Sequence, residues 1–258
     1  MLRGLYTAHT GLRNEQNRMD IMTNNLANAS TVGFKKEGST SQSFDSVLAF
    51  KLKDASVGLG KAEHIGHNNL GVKIGENYTD YTQGSFRITN NAFDLALSGE
   101  GFFALEFTNK AGETSTKYTR AGNFTLTSEG YLVNNDGDYV LDENSQRIQL
   151  DPLHGADITS DGRISQNGNV IARLQIVDFE DYDYLKRYGE TYFEPVEGAQ
   201  IIDSAAQVNS GMLEMSNVQV VTEMVNMISI TRQYESNQKI MQTYDRSLEI
   251  AVNQLGKI

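Results

Sequence analysis

The chain has 258 residues, a net charge of −11 and no cysteine, so it can bury one large core or two modest ones but can form no disulfide, thiolate metal site or thiol nucleophile. The acidic balance argues against a phosphate-binding surface, and no nucleic-acid partner is expected. No run of about 18 apolar residues is present, so no membrane-spanning helix is expected, and the opening Met1-Leu2-Arg3-Gly4-Leu5-Tyr6-Thr7-Ala8 lacks the apolar core of a cleaved leader.

Charge is unevenly spread. Residues 1–40 and 216–258 are near neutral, while the middle holds the acidic excess. Near the N-terminus, Met1, Leu5, Ala8, Leu12, Glu15, Met19, Met22, Leu26 and Ala29 are spaced alternately by four and three. Only Glu15 interrupts the apolar series, which predicts a heptad seam on a helix ending near Asn28 and Ser30. Residues 31–75 are rich in glycine, serine, lysine and asparagine without a sustained period, and read as an extended connector.

From residue 76 to residue 215 the pattern changes to short strands and turns. Phe93, Leu95 and Leu97 alternate, as do Phe103, Leu105 and Phe107, with Gly99-Glu100-Gly101 as the turn between them. The run from Ile171 to Val177 reads as a further strand. Thr127-Ser128-Glu129-Gly130-Tyr131-Leu132 is echoed by Thr159-Ser160-Asp161-Gly162-Arg163-Ile164, two hairpins turning at a glycine, and Asn135-Asp136-Gly137-Asp138 is another turn.

The C-terminal stretch returns to the heptad period through Val220, Glu223, Met227, Ile230, Tyr234, Asn237, Met241, Tyr244, Leu248, Ala251, Leu255 and Ile258. Ser216 followed by Gln219 has the spacing of a capping box and places the helix start near Ser216. The first third of this helix also carries Val218, Val221, Met224, Val225 and Ile228, more apolar surface than one partner helix can cover, which points to further neighbours. The expected fold is α+β: residues 1–30 and 216–258 form long terminal helices that pair as a coiled coil, and an all-β domain over 76–215 is inserted between them.

Chemistry is scarce. Glu63-His64-x-x-His67 lacks the i, i+4 spacing of a helical zinc pair and any obvious third ligand, so a solvated loop is expected. Asp178-Phe179-Glu180-Asp181-Tyr182-Asp183 lacks the glycine and the final glutamate of a calcium loop and reads as a solvated acidic edge. With no nucleophile elbow, P-loop or dinucleotide fingerprint, neither catalytic residues nor a cofactor nor a metal is expected.

The run from Asn24 to Lys35, reading Asn-Asn-Leu-Ala-Asn-Ala-Ser-Thr-Val-Gly-Phe-Lys, resembles the N-terminal signature of the flagellar rod and hook protein family. Ser216-Asn217-Val218, Glu223-Met224-Val225-Asn226-Met227-Ile228, Arg232, Tyr234-Glu235, Asn237 and Lys239 resemble its C-terminal signature. Gln83-Gly84, Thr89, Asn90, Asp94-Leu95-Ala96-Leu97 and Gly99-x-Gly101-Phe102-Phe103 resemble the family's entry into its β domain.

The resemblance implies a structural subunit of the basal-body rod that leaves through the flagellar type III export apparatus. It implies a homopolymer in which the terminal helices form the inner wall of a hollow helical tube, in contact with other rod and hook proteins. Proximal- and distal-rod positions stay open, as do a secreted filament subunit or adhesin and a rod-associated wall hydrolase. The expected interface comprises Leu5, Leu12, Met19, Met22, Leu26, Met227, Tyr234, Met241, Leu248 and Leu255 on the seams, and Val221, Val225 and Ile228 on the surplus face. Arg232 and Glu235 read either as solvated residues or as intersubunit pairs. Asn25, Asn28 and Gly33 read either as helix-ending residues, with Gly33 left-handed, or, for the asparagines, as bridges to an adjacent subunit.

Overall fold

The computed structural model describes residues 2–44, 47–51, 63–69, 71–110 and 112–255. The chain divides into two compact units, one of residues 1–26, 37–80 and 220–258, the other of residues 27–36 and 81–219. It is α+β, with one long helix near each end and strands between them. Among the described residues no helix is long and apolar enough to cross a membrane.

The first unit contains α1 (Leu2–Ala27), β1 (Lys36–Ser43), β2 (Val47–Lys51), β3 (Glu63–Asn68), β4 (Val72–Asp80) and α2 (Val220–Leu255). The stretch 31–75, expected as an extended connector, thus carries paired strands: β1 with β4, and β2 with β3 antiparallel. These strands have little apolar alternation, and polar exchanges help hold them. Thr40 Oγ1 accepts from Glu76 N at 2.9 Å and donates to Glu76 O at 3.3 Å. His64 and His67 lie on β3 rather than in a loop, and their side chains fall outside the described residues.

α2 starts four residues later than the capping-box spacing suggests. Ser216 Oγ accepts from Val218 N at 3.2 Å, two residues on, and so closes a local turn instead of capping a helix. At 36 residues the helix is about 54 Å long at 1.5 Å per residue.

The second unit is built on β7 (Phe102–Thr108), which pairs along one side with β8 (Thr114–Thr119). Along its other side β7 pairs with β11 (Tyr139–Val140) and with β15 (Ile176–Phe179). The nine-stranded sheet continues from β8 to β17 (Tyr192–Pro195) and β16 (Leu185–Tyr188). From β11 it continues to β10 (Leu132–Val133) and β9 (Thr125–Leu126), and from β15 to β18 (Ile201–Asp203). Smaller sheets join β5 (Phe86–Ile88) to β20 (Met212–Glu214), β6 (Leu95–Ser98) to β19 (Gln207–Ser210), and β12 (Asp157–Ile158) to β13 (Arg163–Gln166) and β14 (Asn169–Arg173).

β7 is buried on both faces. Phe103 and Leu105 enter one core with Leu95, Leu97, Phe124, Leu132 and Ile164. Phe102 and Ala104 enter a second with Tyr118, Phe179 and Phe193. The continuous apolar run Phe-Phe-Ala-Leu is what a strand covered on both sides requires.

The echoed hairpins have the same bonds. Thr127 N donates to Tyr131 O and Gly130 N to Thr127 O, each at 2.9 Å, while Thr159 N donates to Arg163 O at 3.0 Å and Gly162 N to Thr159 O at 2.9 Å. Gly130 and Gly162 take φ of +87° and +76°, which suits a three-residue loop closing on a left-handed residue. Asn134 to Asp138 and Asp142 to Gln146 repeat the pattern, with Gly137 and Ser145 in the left-handed position.

Two sequence expectations fail here. The run Ile171 to Val177 is not one strand but the end of β14 and the start of β15, because Leu174 N turns to Gly162 O and Gln175 N to Leu141 O. Nor is Asp178 on a solvated edge: β15 lies between β7 and β18, and buried Asp178 accepts from Tyr182 Oη at 2.8 Å and Phe179 N at 2.9 Å. Glu180, Asp181 and Asp183 are exposed.

Candidate subunit interface

The two seams emerge as the less exposed faces of their helices. On α1, Leu5, Leu12, Met19, Met22 and Leu26 are half-buried, and Ala8 and Glu15 are buried. Glu15 accepts from Arg18 Nη1 at 3.0 Å, which satisfies the charge that interrupts the apolar series. On α2, Met227, Tyr234, Asn237, Met241, Tyr244, Leu248 and Ala251 are half-buried, and Glu223 and Ile230 are buried. The side chain of Leu255 lies outside the described residues.

The helices touch where α1 has no side chain. A Cβ at Gly4 would collide with the Tyr244 ring and hydroxyl, and one at Gly11 would press on the Asn237 amide. Seven residues up α1 correspond to seven residues down α2, so the helices run antiparallel there.

β1 is pinned to α1 by asparagine amides. Asn25 Nδ2 donates to Glu37 O at 2.7 Å and Asn25 Oδ1 accepts from Glu37 N at 2.9 Å, while Asn14 Nδ2 donates to Ser41 Oγ at 3.0 Å. Asn25 lies inside the helix and is fully buried, its amide pairing with Glu37 as a neighbouring strand would. It therefore does not end the helix, and both atoms of its amide bond within the same chain. Buried Asn28 belongs to the turn after α1, where its Oδ1 accepts from Thr31 Oγ1 at 3.0 Å.

The surplus apolar face of α2 is bare. Val221 is 77% exposed and Val225 61%, and Met224 and Ile228 are also exposed. Val225, Ile228, Ser229, Arg232, Gln233 and Ser236 line a shallow groove of about 380 Å³ along the helix. Arg232 and Glu235 are both exposed.

In the second unit, two of the family-like stretches, through Lys35 and Gly84, meet at one carboxylate that the sequence did not single out, two residues before the third. Glu214 is wholly buried; its Oε1 accepts from Lys35 Nζ at 2.6 Å and Gly84 N at 3.0 Å, its Oε2 from Arg120 Nη1 at 3.4 Å, and its backbone oxygen from Gly33 N at 2.8 Å. Lys35 Nζ also donates to Thr82 O at 2.8 Å. Asn217 Oδ1 accepts from Lys36 N at 2.8 Å, and Arg187 Nη1 donates to Lys35 O at 3.1 Å while its guanidinium covers the Phe34 ring. Gly33 is left-handed at φ +69°, but six residues beyond the end of α1; a Cβ there would strike the backbone at Ala121. Its role is close approach between chain segments, not helix termination.

Two tyrosines are buried against carboxylates. Tyr192 Oη lies 2.6 Å from Asp138 Oδ2 and 2.9 Å from Asp136 Oδ2, and burial first, then these acceptors, push its ionisation far above the usual tyrosine range. Tyr182 is shifted upward by burial and by Asp178. These contacts favour neutral tyrosines inside a packed domain.

Comparison with known proteins agrees with the geometry. Residues 5–35 match the family described as flagella basal body rod protein, residues 96–172 the flagellar hook protein FlgE/F/G D1 domain, and residues 209–255 the flagellar basal body rod FlgEFG protein C-terminal region. The chain is 34% identical to the flagellar basal-body rod protein FlgG of Bacillus subtilis, over 98% of this chain and 99% of that one. It is also 34% identical to the flagellar basal-body rod protein FlgF of Caulobacter vibrioides over the full length of both, and 29% identical to the Bacillus subtilis flagellar hook-basal body complex protein FlhO. With matches at both helical ends and within the β domain, and relatives aligned end to end, the chain belongs to the flagellar basal-body rod protein family, as a structural subunit and not an enzyme.

Proposed function

We propose that this rod subunit polymerises through its terminal helices, α1 and α2 pairing as an antiparallel coiled coil within each copy and the bare face of α2 packing on neighbouring copies. The single observation that carries this reading is the stripe of Val221, Met224, Val225 and Ile228, exposed along one side of a helix whose other side is already covered. Apolar surface of this kind, continuous and on a rigid element, is removed from water only by another molecule.

Repetition of a contact that joins different surfaces of the same subunit generates an open helical polymer, which suits a hollow drive shaft. In this reading the partners are further copies of the chain and other rod and hook proteins. The subunit reaches the basal body through the flagellar type III export apparatus. Leu5, Leu12, Met19, Met22 and Leu26 then act by holding α1 against α2, while Val221, Val225, Ile228 and Arg232 make the contacts between subunits.

The test is Val225→Asp. Its side chain is solvent-facing in the single subunit, so unfolding of the purified variant should stay within about 0.5 kcal/mol of the parent. Rod assembly and motility of cells carrying it should be lost; normal rods would remove the α2 face from the interface.

A further inference from the structure

Two strands of the second unit have a side that pairs with nothing among the described residues. β14 is the outer strand of its three-stranded sheet, joined to β13, and β18 is the outer strand beyond β15. An edge strand presents a row of backbone donors and acceptors, and proteins ordinarily blunt it with lysine, proline or an inward-pointing charge. Here each edge carries two consecutive β-branched residues in solvent, Val170 and Ile171 on β14, Ile201 and Ile202 on β18. Consecutive strand residues point to opposite faces, so each edge exposes apolar surface above and below its own backbone.

Charge distinguishes the two edges. On the β13–β14 side, Arg163 stands directly opposite Arg173, a like-charge pairing that costs stability. Arg173 is neutralised by Glu143 at 2.6 Å, whereas exposed Arg163 has no ion-pair partner among the described residues. On the β15–β18 side, Asp203 ends β18, and Glu180, Asp181 and Asp183 follow β15, all four exposed. One domain thus carries an apolar edge with an uncompensated cation and a second apolar edge with a cluster of anions.

We propose that these edges meet between copies of this chain, β14 of one subunit docking beside β18 of the next and Arg163 facing the carboxylates that flank β18. The contact is head to tail, so its repetition gives an open polymer and not a closed pair. With strands of five and three residues it is weak for a lone pair of subunits and gains strength only where other contacts already hold the copies together. The proposal rests on the reading of the chain as a polymer subunit.

The absence of cysteine makes the test direct. In the full chain carrying both Ile171→Cys and Ile202→Cys, a short bismaleimide applied to assembled polymer should give a ladder of covalent dimers, trimers and longer products. Each single variant should give none, and Arg163→Glu added to the double variant should weaken the ladder. Intact polymer without a ladder overturns the edge contact and leaves the helical interface standing. Dimers from either single variant overturn it as well, because they would mean that like edges meet. If purified subunits do not polymerise, the reagent is applied to basal bodies isolated from cells carrying each variant, where the same ladder from the double variant alone is expected and its absence overturns the edge contact.

Discussion

Lys35 Nζ and Glu214 Oε1 lie 2.6 Å apart, and neither side chain reaches solvent. Removing Lys35 takes the nearest cation from a buried carboxylate and leaves it only the longer 3.4 Å contact with Arg120 and the Gly84 N–H, a loss of up to about 3–5 kcal/mol. Lys35→Met should therefore lower the stability of the second unit by that amount in urea unfolding. Lys35→Met with Glu214→Leu should recover part of the loss, because the stranded carboxylate is gone, although Arg120 then loses its acceptor.

Gly33→Ala should destabilise through two independent terms. A left-handed dihedral costs a β-carbon about 1–2 kcal/mol, and the collision with Ala121 adds to it. The thermal midpoint should fall by at least about 2–4 °C, read by circular dichroism. A midpoint unchanged from the parent would mean that this approach relaxes freely.

Leu12→Asp places a carboxylate on the half-buried seam of α1. Assembly should be abolished while the second unit keeps its fold. Protection of the β7 amides from hydrogen exchange checks the latter, and normal assembly by the variant would mean that polymerisation does not need α1 held against α2 through this seam.

Stability should fall in alkali. Tyr192 ionises far above its normal value in the folded chain and near 10 in the unfolded one, so the folded state holds a proton that the unfolded state has lost. The stabilisation is complete below about pH 10 and declines by about 1.4 kcal/mol per pH unit above it. Tyr182 should add to the same slope. Urea midpoints at about pH 8 and about pH 11 measure the decline, and Tyr192→Phe should make it shallower.

The helices were legible because each presents an apolar residue every three or four positions over many turns, a signal that survives interruption by Glu15 or Glu223. β7 and the glycine hairpins were legible for similar local reasons. β1, reading Lys-Glu-Gly-Ser-Thr-Ser-Gln-Ser, was not, since its partners are asparagine amides on α1 and strand β4 rather than an apolar face. Glu214 was invisible because its side-chain partners lie 94, 130 and 179 residues away, and nothing adjacent to a single glutamate announces that it is buried. Asn25 was noticed, but helix position alone could not say whether its amide served its own chain or another.

The carboxylate of residue 214 also sets an order of events. The segment it fastens is made early, and its fastener arrives only after most of the polypeptide has been delivered. A chain cut short before that point leaves Lys35 with the Thr82 carbonyl but without its carboxylate, so a partial version of the domain is less stable than the whole. Closure registers that the segment around residue 35 and the strand ending at residue 214 are both present.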